Sequence, residues 1–212
     1  MLKAIMLFAL SLAVILLAAC QNVSITGSGN VVTEQESVFD FDKIDVSHGF
    51  KIYVSQGGTY HVIIRADDNV MEHVDVSKSG DTLKIGLKPR RSYELKNTTL
   101  EAEVTMPALV GLDLSSGSHV NITGFQSVGE LDADLSSGSH LRGDIEAGNV
   151  NFDLSSGSGM VLSGSAQDMK LEVSSGGEID LGDFSVVNAN VDMSSGGSAL
   201  VNVSGTLDAD AS

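Results

Sequence analysis

The chain has 212 residues, with 28 acidic and 12 basic side chains and a net charge of −16 at pH 7. This length suits one large β domain or two small ones and is sufficient to bury a substantial core. The acidic excess argues against nucleic acid or anionic lipid as partners, since both need clustered Lys and Arg side chains. Cys20 is the only cysteine, so the chain has no disulfide framework.

Residues 1–19 have the layout of a secretory signal peptide. A start containing Lys3 is followed by an apolar run and small residues, and polar Gln21 comes directly after Cys20. A transmembrane anchor is the alternative, but the run falls short of the roughly 20 residues of a membrane span, and no basic stop-transfer cluster follows it. Leu17-Ala18-Ala19-Cys20 resembles the bacterial lipobox, which implies a diacylglyceryl group on the Cys20 thiol and cleavage before that residue.

We therefore expect residues 20–24 to be a lipidated tether that anchors the mature protein to a membrane without spanning it. Each buried methylene contributes about 0.8 kcal/mol, so two or three acyl chains give a lasting anchor. By resemblance to Gram-negative lipoproteins, a residue other than Asp after Cys20, here Gln21, favours the outer membrane over the inner one. The predicted location is the cell envelope, and no cofactor other than this lipid is expected.

Residues 25–106 are predicted to be an irregular β portion. The segment FKIYVSQGGTYHVIIRA contains two alternating strands around Gln56-Gly57-Gly58-Thr59, which predicts a hairpin. Residues 43–54 and 74–87 resemble the more regular units that follow. We expect this portion to cap one end of a stack built from those units.

Residues 107–212 are predicted to be a repetitive portion that begins at Pro107. The tripeptide Ser-Ser-Gly recurs with its first serine at 115, 136, 155, 174 and 194, in steps of 21, 19, 19 and 20 residues. A further copy begins at LDAD-Ala211-Ser212, so the chain ends in mid-repeat. Fixed-period repeats of this length are typical of stacked architectures.

Each unit reads as two short alternating strands joined by the Ser-Ser-Gly turn, and no helical periodicity competes with this pattern. A two-strand unit cannot bury its own apolar face, but stacked units share a continuous core. The sequence therefore predicts an all-β, right-handed β-solenoid of about 20-residue coils. A meandering β-sandwich or prism built from the same hairpins is the alternative. The predicted inward positions include Leu112, Leu114, Leu135, Leu154 and Val173.

An acid stands two residues before the first serine of every turn. These residues are Asp113, Asp134, Asp153, Glu172 and Asp192, with Asp210 before Ser212. In a solenoid they stack outward, and like charges about 5 Å apart repel by roughly 0.8 kcal/mol even in water. We expect each carboxylate to accept a hydrogen bond from a turn N–H, and a weak calcium-binding ladder is the second interpretation. Either way, some of these acids should titrate abnormally.

Other candidate sites carry weaker signals. The sequence GSGN at 27–30 lacks the GK[ST] ending of a phosphate loop, which favours a tight turn. The Ser-Ser-Gly serines lack the accompanying histidine that a nucleophile needs in most units. His119 and His140 follow two turns at matching offsets and are expected to stack, but two histidines without a cysteine nearby make a poor metal site.

The mature chain as a whole resembles the putative auto-transporter adhesin, head GIN domain family. The resemblance lies in ITGSGNVVTE (25–34), FDKIDVSHGFKIYVSQG (41–57), DDNVMEHVDVSKSGDTLKIGLK (67–88), VTMPALVGLDLSSGS (104–118) and the later Ser-Ser-Gly units. Members are envelope proteins common in Bacteroidetes. The resemblance implies an all-β, repetitive surface domain without catalytic activity.

Two functions follow from these observations. The first is a non-catalytic envelope lipoprotein with an adhesive or structural role and a surface glycan or envelope protein as partner. The alternative is a carbohydrate-binding or polysaccharide-cleaving β-helix protein that uses its acidic face.

Overall fold

The computed structural model of the protein describes residues 22–89, 92–126 and 129–212. These residues are mostly in strands, with one helical turn, α1, at Asp68–Met71. The predicted signal peptide, Cys20 and Gln21 lie outside the described residues. Within the described ranges, no helix is long and apolar enough to cross a membrane.

The described chain contains an N-terminal and a C-terminal series of strands. The first series is β1 (Asn22–Thr26), β2 (Val31–Glu36), β3 (Lys43–Val46), β4 (Lys51–Gln56), β5 (His61–Asp67), β6 (Val74–Ser79), β7 (Thr82–Leu87), β8 (Ser92–Lys96) and β9 (Leu100–Met106). The second series is β10 (Gly111–Leu114), β11 (His119–Gln126), β12 (Glu130–Leu135), β13 (His140–Glu146), β14 (Asn149–Leu154), β15 (Gly159–Val173), β16 (Glu178–Met193), β17 (Ser198–Val203) and β18 (Leu207–Ala211).

The strands stack in parallel to form two faces around one core. One stack, which we call the acidic face, consists of β3, β10, β12, β14, the C-terminal parts of β15 and β16, and β18. The other, which we call the histidine face, consists of β9, β4, β11, β13, the N-terminal parts of β15 and β16, and β17. This arrangement confirms the predicted β-solenoid over the sandwich of hairpins.

The Ser-Ser-Gly segments connect the two faces through tight turns. In the first of them φ is 54° at Ser116 and 72° at Gly117, and the N–H of Ser118 donates to the carbonyl of Ser115 at 3.2 Å. Positive φ at both central residues defines a type I′ turn. The N–H of Gly117 donates to the carbonyl of Ser137 at 3.0 Å, so neighbouring turns are bonded to each other as well.

The residue after the tripeptide is buried under the turn. Ser118, Ser139 and Ser158 occupy this position and are 0 to 2% exposed. The Oγ of Ser139 donates to the carbonyl of Leu114 in the preceding coil at 2.9 Å, and the Oγ of Ser158 donates to that of Leu135 at 3.0 Å. These hydroxyls therefore bond one coil to the next, and each such bond contributes about 1 kcal/mol.

The histidine face bends at a glycine in successive coils. Gly143 and Gly164 have φ of 138° and 122°, a conformation open to glycine but not to other residues. A Cβ on Gly143 would also overlap the carbonyl oxygen of Ile122. The pairing of β11 with β13 and of β15 with β16 shifts register beside these residues, which marks a β-bulge in each case.

The core contains the inward side chains of both faces. Leu112, Leu114, Leu135, Leu154 and Val173 are at most 3% exposed, which confirms the predicted alternation. The rings of Phe152 and Phe184, from opposite faces, have centroids 6.4 Å apart. Burial decreases at the last coil, where Val201 and Val203 are only partly covered.

The predicted hairpin around Gln56-Gly57-Gly58-Thr59 is wrong. Strands β4 and β5 do not pair, because β9 lies between them, parallel to β4 and antiparallel to β5. Each strand thus finds its hydrogen-bonding partner in a segment far away in sequence. The N–H of Gly57 donates to the carbonyl of Met106 at the end of β9, at 2.9 Å.

The two segments that resemble the repeat unit differ from each other in structure. Residues 43–54 form a true coil, with His48 and Gly49 at the positive-φ positions of its turn. In residues 74–87, by contrast, β6 and β7 form an antiparallel hairpin. Strands β7 and β9 pair with β3 and β4 on the side away from β10 and β11, so this later segment caps the stack.

Candidate functional site

The acidic face carries the predicted column of acids. Asp113, Asp134, Asp153, Glu172 and Asp192 are direct neighbours in successive coils, and Asp210 continues the column. Asp45 extends it in the other direction, where its carboxylate contacts the Nζ of Lys84 at 2.9 Å. This ion pair raises the pKa of Lys84. The column therefore contacts cations at two places, Lys84 beside Asp45 and Lys170 beside Glu172, whereas Asp113, Asp134 and Asp153 have no ion pair in the described structure.

The expected hydrogen bonds from turn N–H groups to these acids are not formed in the described part of the chain. The N–H of Ser136 instead donates to the carbonyl of Leu114, at 2.9 Å. The N–H groups of Ser139 and Gly138 donate to Ser136 and Ser156, at 3.1 Å each. Stacking thus supplies backbone acceptors for the turn, and the carboxylates stay in solvent.

Two acids of the column have shifted pKa values. Partial burial, and then the charge of Asp45, raise the pKa of Asp113. Partial burial, and then the charges of Asp153 and Asp113, raise the pKa of Asp134. The direction of these two shifts agrees with the expectation of abnormal titration, and their largest cause is partial burial rather than a turn hydrogen bond.

Calcium binding by the column stays a prediction. Across the described residues, no group of three or more His, Cys, Asp or Glu side chains is arranged to hold a metal ion. Thermal melts with calcium and with chelator, at fixed ionic strength, decide the matter. A difference of several degrees would support the ladder as a weak cation site, and identical melts would remove it.

The two acids of the column with shifted pKa values, Asp113 and Asp134, do not show the asymmetry of a catalytic acid–base pair. General acid–base catalysis by two carboxyl groups needs environments that move their pKa values apart. The pKa values of Asp113 and Asp134 are shifted in the same direction by the same causes, burial first and then neighbouring carboxylates. The acidic face therefore offers no distinct proton donor and acceptor at these two residues.

The histidine face carries a second group of polar side chains, which we call the histidine patch. It consists of Lys51, His119 and His140 in one column and Tyr53, Asn121 and Arg142 in the next. These six residues line a shallow pocket of about 160 Å³. The rings of His119 and His140 are stacked, with centroids 5.0 Å apart and planes at 12°, as the sequence predicted.

The patch has a distinct electrostatic character. Burial first, and then the positive charges of its neighbours, lower the pKa of His119. Both causes favour the neutral form of the His119 imidazole over the charged form. Tyr53 projects outward with 55% of its surface exposed, which is unusual for a large aromatic residue in this chain.

Sequence reasoning missed the histidine patch as a site. It identified the two histidines but not Lys51, Tyr53 or Arg142 as their neighbours. The patch exists only because β4, β11 and β13 stack in register, which joins residues from distant parts of the chain. The available signal was that the outward positions of these three strands depart from the acidic pattern of the other face.

The GSGN loop is part of a structural network. The N–H of Gly29 donates to the buried carboxylate of Asp67 at 2.7 Å, and the N–H of Ser28 donates to Asn69 at 3.1 Å. The Oγ of Ser28 donates to Asp68 at 2.6 Å, and such bonds lower the pKa of that carboxyl group. Side-chain oxygens of Asp67 and Asn69 thus occupy the N–H groups that a phosphate would need.

Serine nucleophiles find little support. The Oγ atoms of Ser139 and Ser158 are buried and donate to backbone carbonyls. Ser47 contacts the Nδ1 of His48 at 2.7 Å, but the N–H of Leu87 also donates to that nitrogen, at 3.4 Å. A nucleophilic dyad needs a third group to orient the base, and no described carboxylate contacts the His48 ring.

The stacked coils and solvent-facing polar columns define a β-solenoid. The profile of the family described as putative auto-transporter adhesin, head GIN domain, matches residues 40–212. The chain therefore belongs to this family, as its motifs indicated. A search among curated proteins gave no match.

Solved structures share the fold at low sequence identity. A putative lipid binding protein from Parabacteroides distasonis has a TM-score of 0.66 and 18% identity, covering 90% of this chain and 98% of its own. A putative adhesin from Bacteroides fragilis has a TM-score of 0.65 and 18% identity, covering 88% and 100%. A putative adhesin from Parabacteroides merdae has a TM-score of 0.60 and 15% identity, covering 89% and 97%.

Proposed function

We propose that this protein is a non-catalytic adhesive module of the bacterial cell envelope, lipidated at Cys20 and held at the outer membrane. The observation that carries the proposal is the in-register stack itself, in which each coil bonds to the next through strands, turns and buried serine hydroxyls. Such a scaffold holds side chains in fixed columns over a long surface. Rigid, repeated presentation suits recognition of an extended partner better than chemistry in a pocket.

Family membership and surface charge support the same function. The chain belongs to a family described as adhesins, and two of its fold neighbours carry that description. Removal of the predicted signal peptide would leave 11 basic and 28 acidic residues, a net charge of −17. A strongly negative domain is repelled by anionic lipid, so it would project away from the membrane that holds its tether.

The lipid anchor is tested by Cys20→Ser. We expect metabolic labelling with a palmitate analogue to mark the native protein and not the variant, because the thiol is the acceptor. Density-gradient fractionation should place the native protein with outer-membrane markers and release the variant from them. Equal labelling of the two proteins would contradict the anchor, and cofractionation with inner-membrane markers would contradict the sorting.

Adhesion without catalysis is tested on the purified full-length protein. Beads coated with it should attach to surfaces bearing extracellular polysaccharide more strongly than beads coated with an unrelated lipoprotein. The same polysaccharides, incubated with the protein, should show no new reducing ends. Release of reducing ends that is lost in Asp113→Asn and Asp134→Asn variants would instead favour a polysaccharide-cleaving enzyme.

A further inference from the structure

The histidine patch breaks the repeat pattern in a way that folding does not require. On the acidic face, the column before each turn repeats one residue type, whereas the patch combines two cations, two imidazoles, an amide and a phenol. All six side chains project from strands β4, β11 and β13 and line one pocket of about 160 Å³. This is below the roughly 300–1,000 Å³ of pockets that enclose drug-sized ligands, so it suits a single ring rather than a large molecule.

The cations of the patch are unneutralised in the described structure. Lys51 and Arg142 have no described carboxylate within the 4.0 Å of an ion pair, whereas Lys170 on the acidic face contacts Glu172 at 2.6 Å. Asp144, two residues from Arg142, accepts a hydrogen bond from the N–H of Gly124 at 2.9 Å. Acidic residues outnumber basic ones in this chain, 28 to 12, so a pocket that contains two cations without an ion-paired carboxylate departs from the general composition.

Carboxylates lie beyond the patch on both sides. Glu101 and Glu103 are the in-register neighbours of Lys51 and Tyr53. On the other side, Gly159 and Val161 follow His140 and Arg142, and Glu178 and Asp180 come next. On the first side, Arg65 contacts Glu103 at 3.9 Å. The cations without an ion pair, Lys51 and Arg142, thus lie within three coils, and the His140 ring packs against Gly159, where a Cβ would overlap its Nδ1.

We propose that this pocket binds one anionic pyranose unit of a polysaccharide, a sugar that bears a carboxylate or a sulfate group. The proposal rests on the adhesive function proposed above and names the ligand class for it. Arg142 and Lys51 supply charge-assisted hydrogen bonds to the anion. Tyr53 offers an aromatic surface to the apolar face of the ring, and the Asn121 amide can donate to and accept from its hydroxyls.

An anionic phospholipid headgroup has related chemistry but fits the surroundings less well. A membrane approaches as a broad negative surface, and it would bring the flanking Glu101, Glu103, Glu178 and Asp180 close to its own charge. A polysaccharide is narrow and can cross the three coils with one unit in the pocket. The negative borders thus select a thin anionic ligand over a flat one.

The site is tested by calorimetric titration of the full-length protein in neutral detergent micelles. The probes are a galacturonate trisaccharide, a sulfated galactose trisaccharide and the neutral galactose trisaccharide. We expect at least one anionic probe to bind roughly 10-fold or more tightly than the neutral one. Arg142→Gln should weaken that binding roughly 10- to 100-fold, because it removes a charge-assisted contact.

Lys170→Gln is the matched control, since it removes an exposed cation from the acidic face, and it should leave affinity unchanged. A second variant, Tyr53→Ser, should weaken both anionic and neutral probes. Failure of both anionic probes to bind, or equal affinities in Arg142→Gln and the native protein, would overturn the proposal. Binding to phosphatidylglycerol vesicles that depends on Arg142, with no sugar binding, would overturn it in favour of a lipid headgroup.

Bead adhesion separates this inference from the broader function. If native and Arg142→Gln beads attach equally well to polysaccharide, the adhesive function stands and the pocket is not its site. If the trisaccharide binds the native protein but coated beads do not attach, the pocket stands and the adhesive function fails.

Discussion

The two faces of the solenoid share one backbone register but align different kinds of side chains. On the acidic face, register aligns like charges into a column, and partial burial followed by the neighbouring charges raises the pKa of Asp113 and Asp134. On the histidine face, the same register aligns unlike side chains, and a pocket forms between Tyr53 and Arg142. Regular repetition therefore builds the scaffold, whereas a departure from it builds a local site.

The contrast has a physical basis in what stacking requires. Inward positions must be apolar and turn positions must accept positive φ, so both are constrained in every coil. Outward positions are free of these demands and can vary from coil to coil. A functional residue in a solenoid is best sought where the outward column changes character, as it does at Lys51, His119 and His140.

A substitution that places a charge inside a coil, instead of in the outward column, should have the largest effect on stability. Leu135 is 1% exposed, and Leu135→Asp would place a carboxylate in the stacked core without a partner. We expect a loss of about 4 kcal/mol or more and a fall in melting temperature of about 10 °C, measured by circular dichroism. Leu154→Asp should behave alike. A variant that melts with the native protein would contradict the assigned core.

This alternation is the part of the fold that the sequence predicts well. Leu135 and Leu154 are identified by period two, and the spacing of the Ser-Ser-Gly turns identifies the stacking. Local patterns say nothing about a strand inserted from elsewhere, which is why β4 and β5 were wrongly expected to pair across β9. The histidine patch escaped prediction for the same reason, because Tyr53 and Arg142 become neighbours only when the coil order is known.

Removal of a buried serine hydroxyl, which bonds one coil to the next, should have a smaller effect on stability. Ser139→Ala removes the bond to the carbonyl of Leu114, which retains the N–H of Ser136 as a donor. We expect a loss of about 1 kcal/mol in chemical unfolding, in proportion to one hydrogen bond. Ser137→Ala in the same turn, where the side chain is exposed, is the control and should cost less. Equal losses would show that the buried bond adds nothing.

Neutralising one acid of the column should stabilise the protein slightly. The folded-state pKa of Asp134 is raised above its usual 3.8, so the stability that protonation contributes is present below that pH and declines as pH rises through the folded pKa. At about pH 7 the ionised Asp134 therefore lowers the stability of the folded state, and Asp134→Asn should raise the melting temperature by about 1–2 °C. The gain should vanish in acid. A lower melting temperature at neutral pH would contradict the crowding argument.

The smallest effect concerns the electrostatics of the histidine patch. The positive charge of Arg142 is one of the causes that lower the pKa of His119, after burial and the electrostatic effects of His140 and Lys51. Arg142→Gln should therefore raise the pKa of His119, as followed by NMR titration of its ring protons. Lys170→Gln, on the acidic face, is the control and should leave the pKa of His119 unchanged. An unchanged pKa of His119 would show that the charge of Arg142 does not act on the stacked histidines.

The two faces exist only if the register of the strands aligns outward residues into columns. Paired cysteines measure that register directly. Asp134 and Asp153 are in-register neighbours, at the spacing of adjacent strands, about 4.8 Å, which a disulfide can span. In Asp134→Cys/Asp153→Cys we expect rapid oxidation to one disulfide, identified by mass spectrometry of the digest. Asp134→Cys/Glu172→Cys, two coils apart at about 10 Å, should stay reduced. Linkage of the second pair but not the first would contradict the stacked register and the two faces built on it.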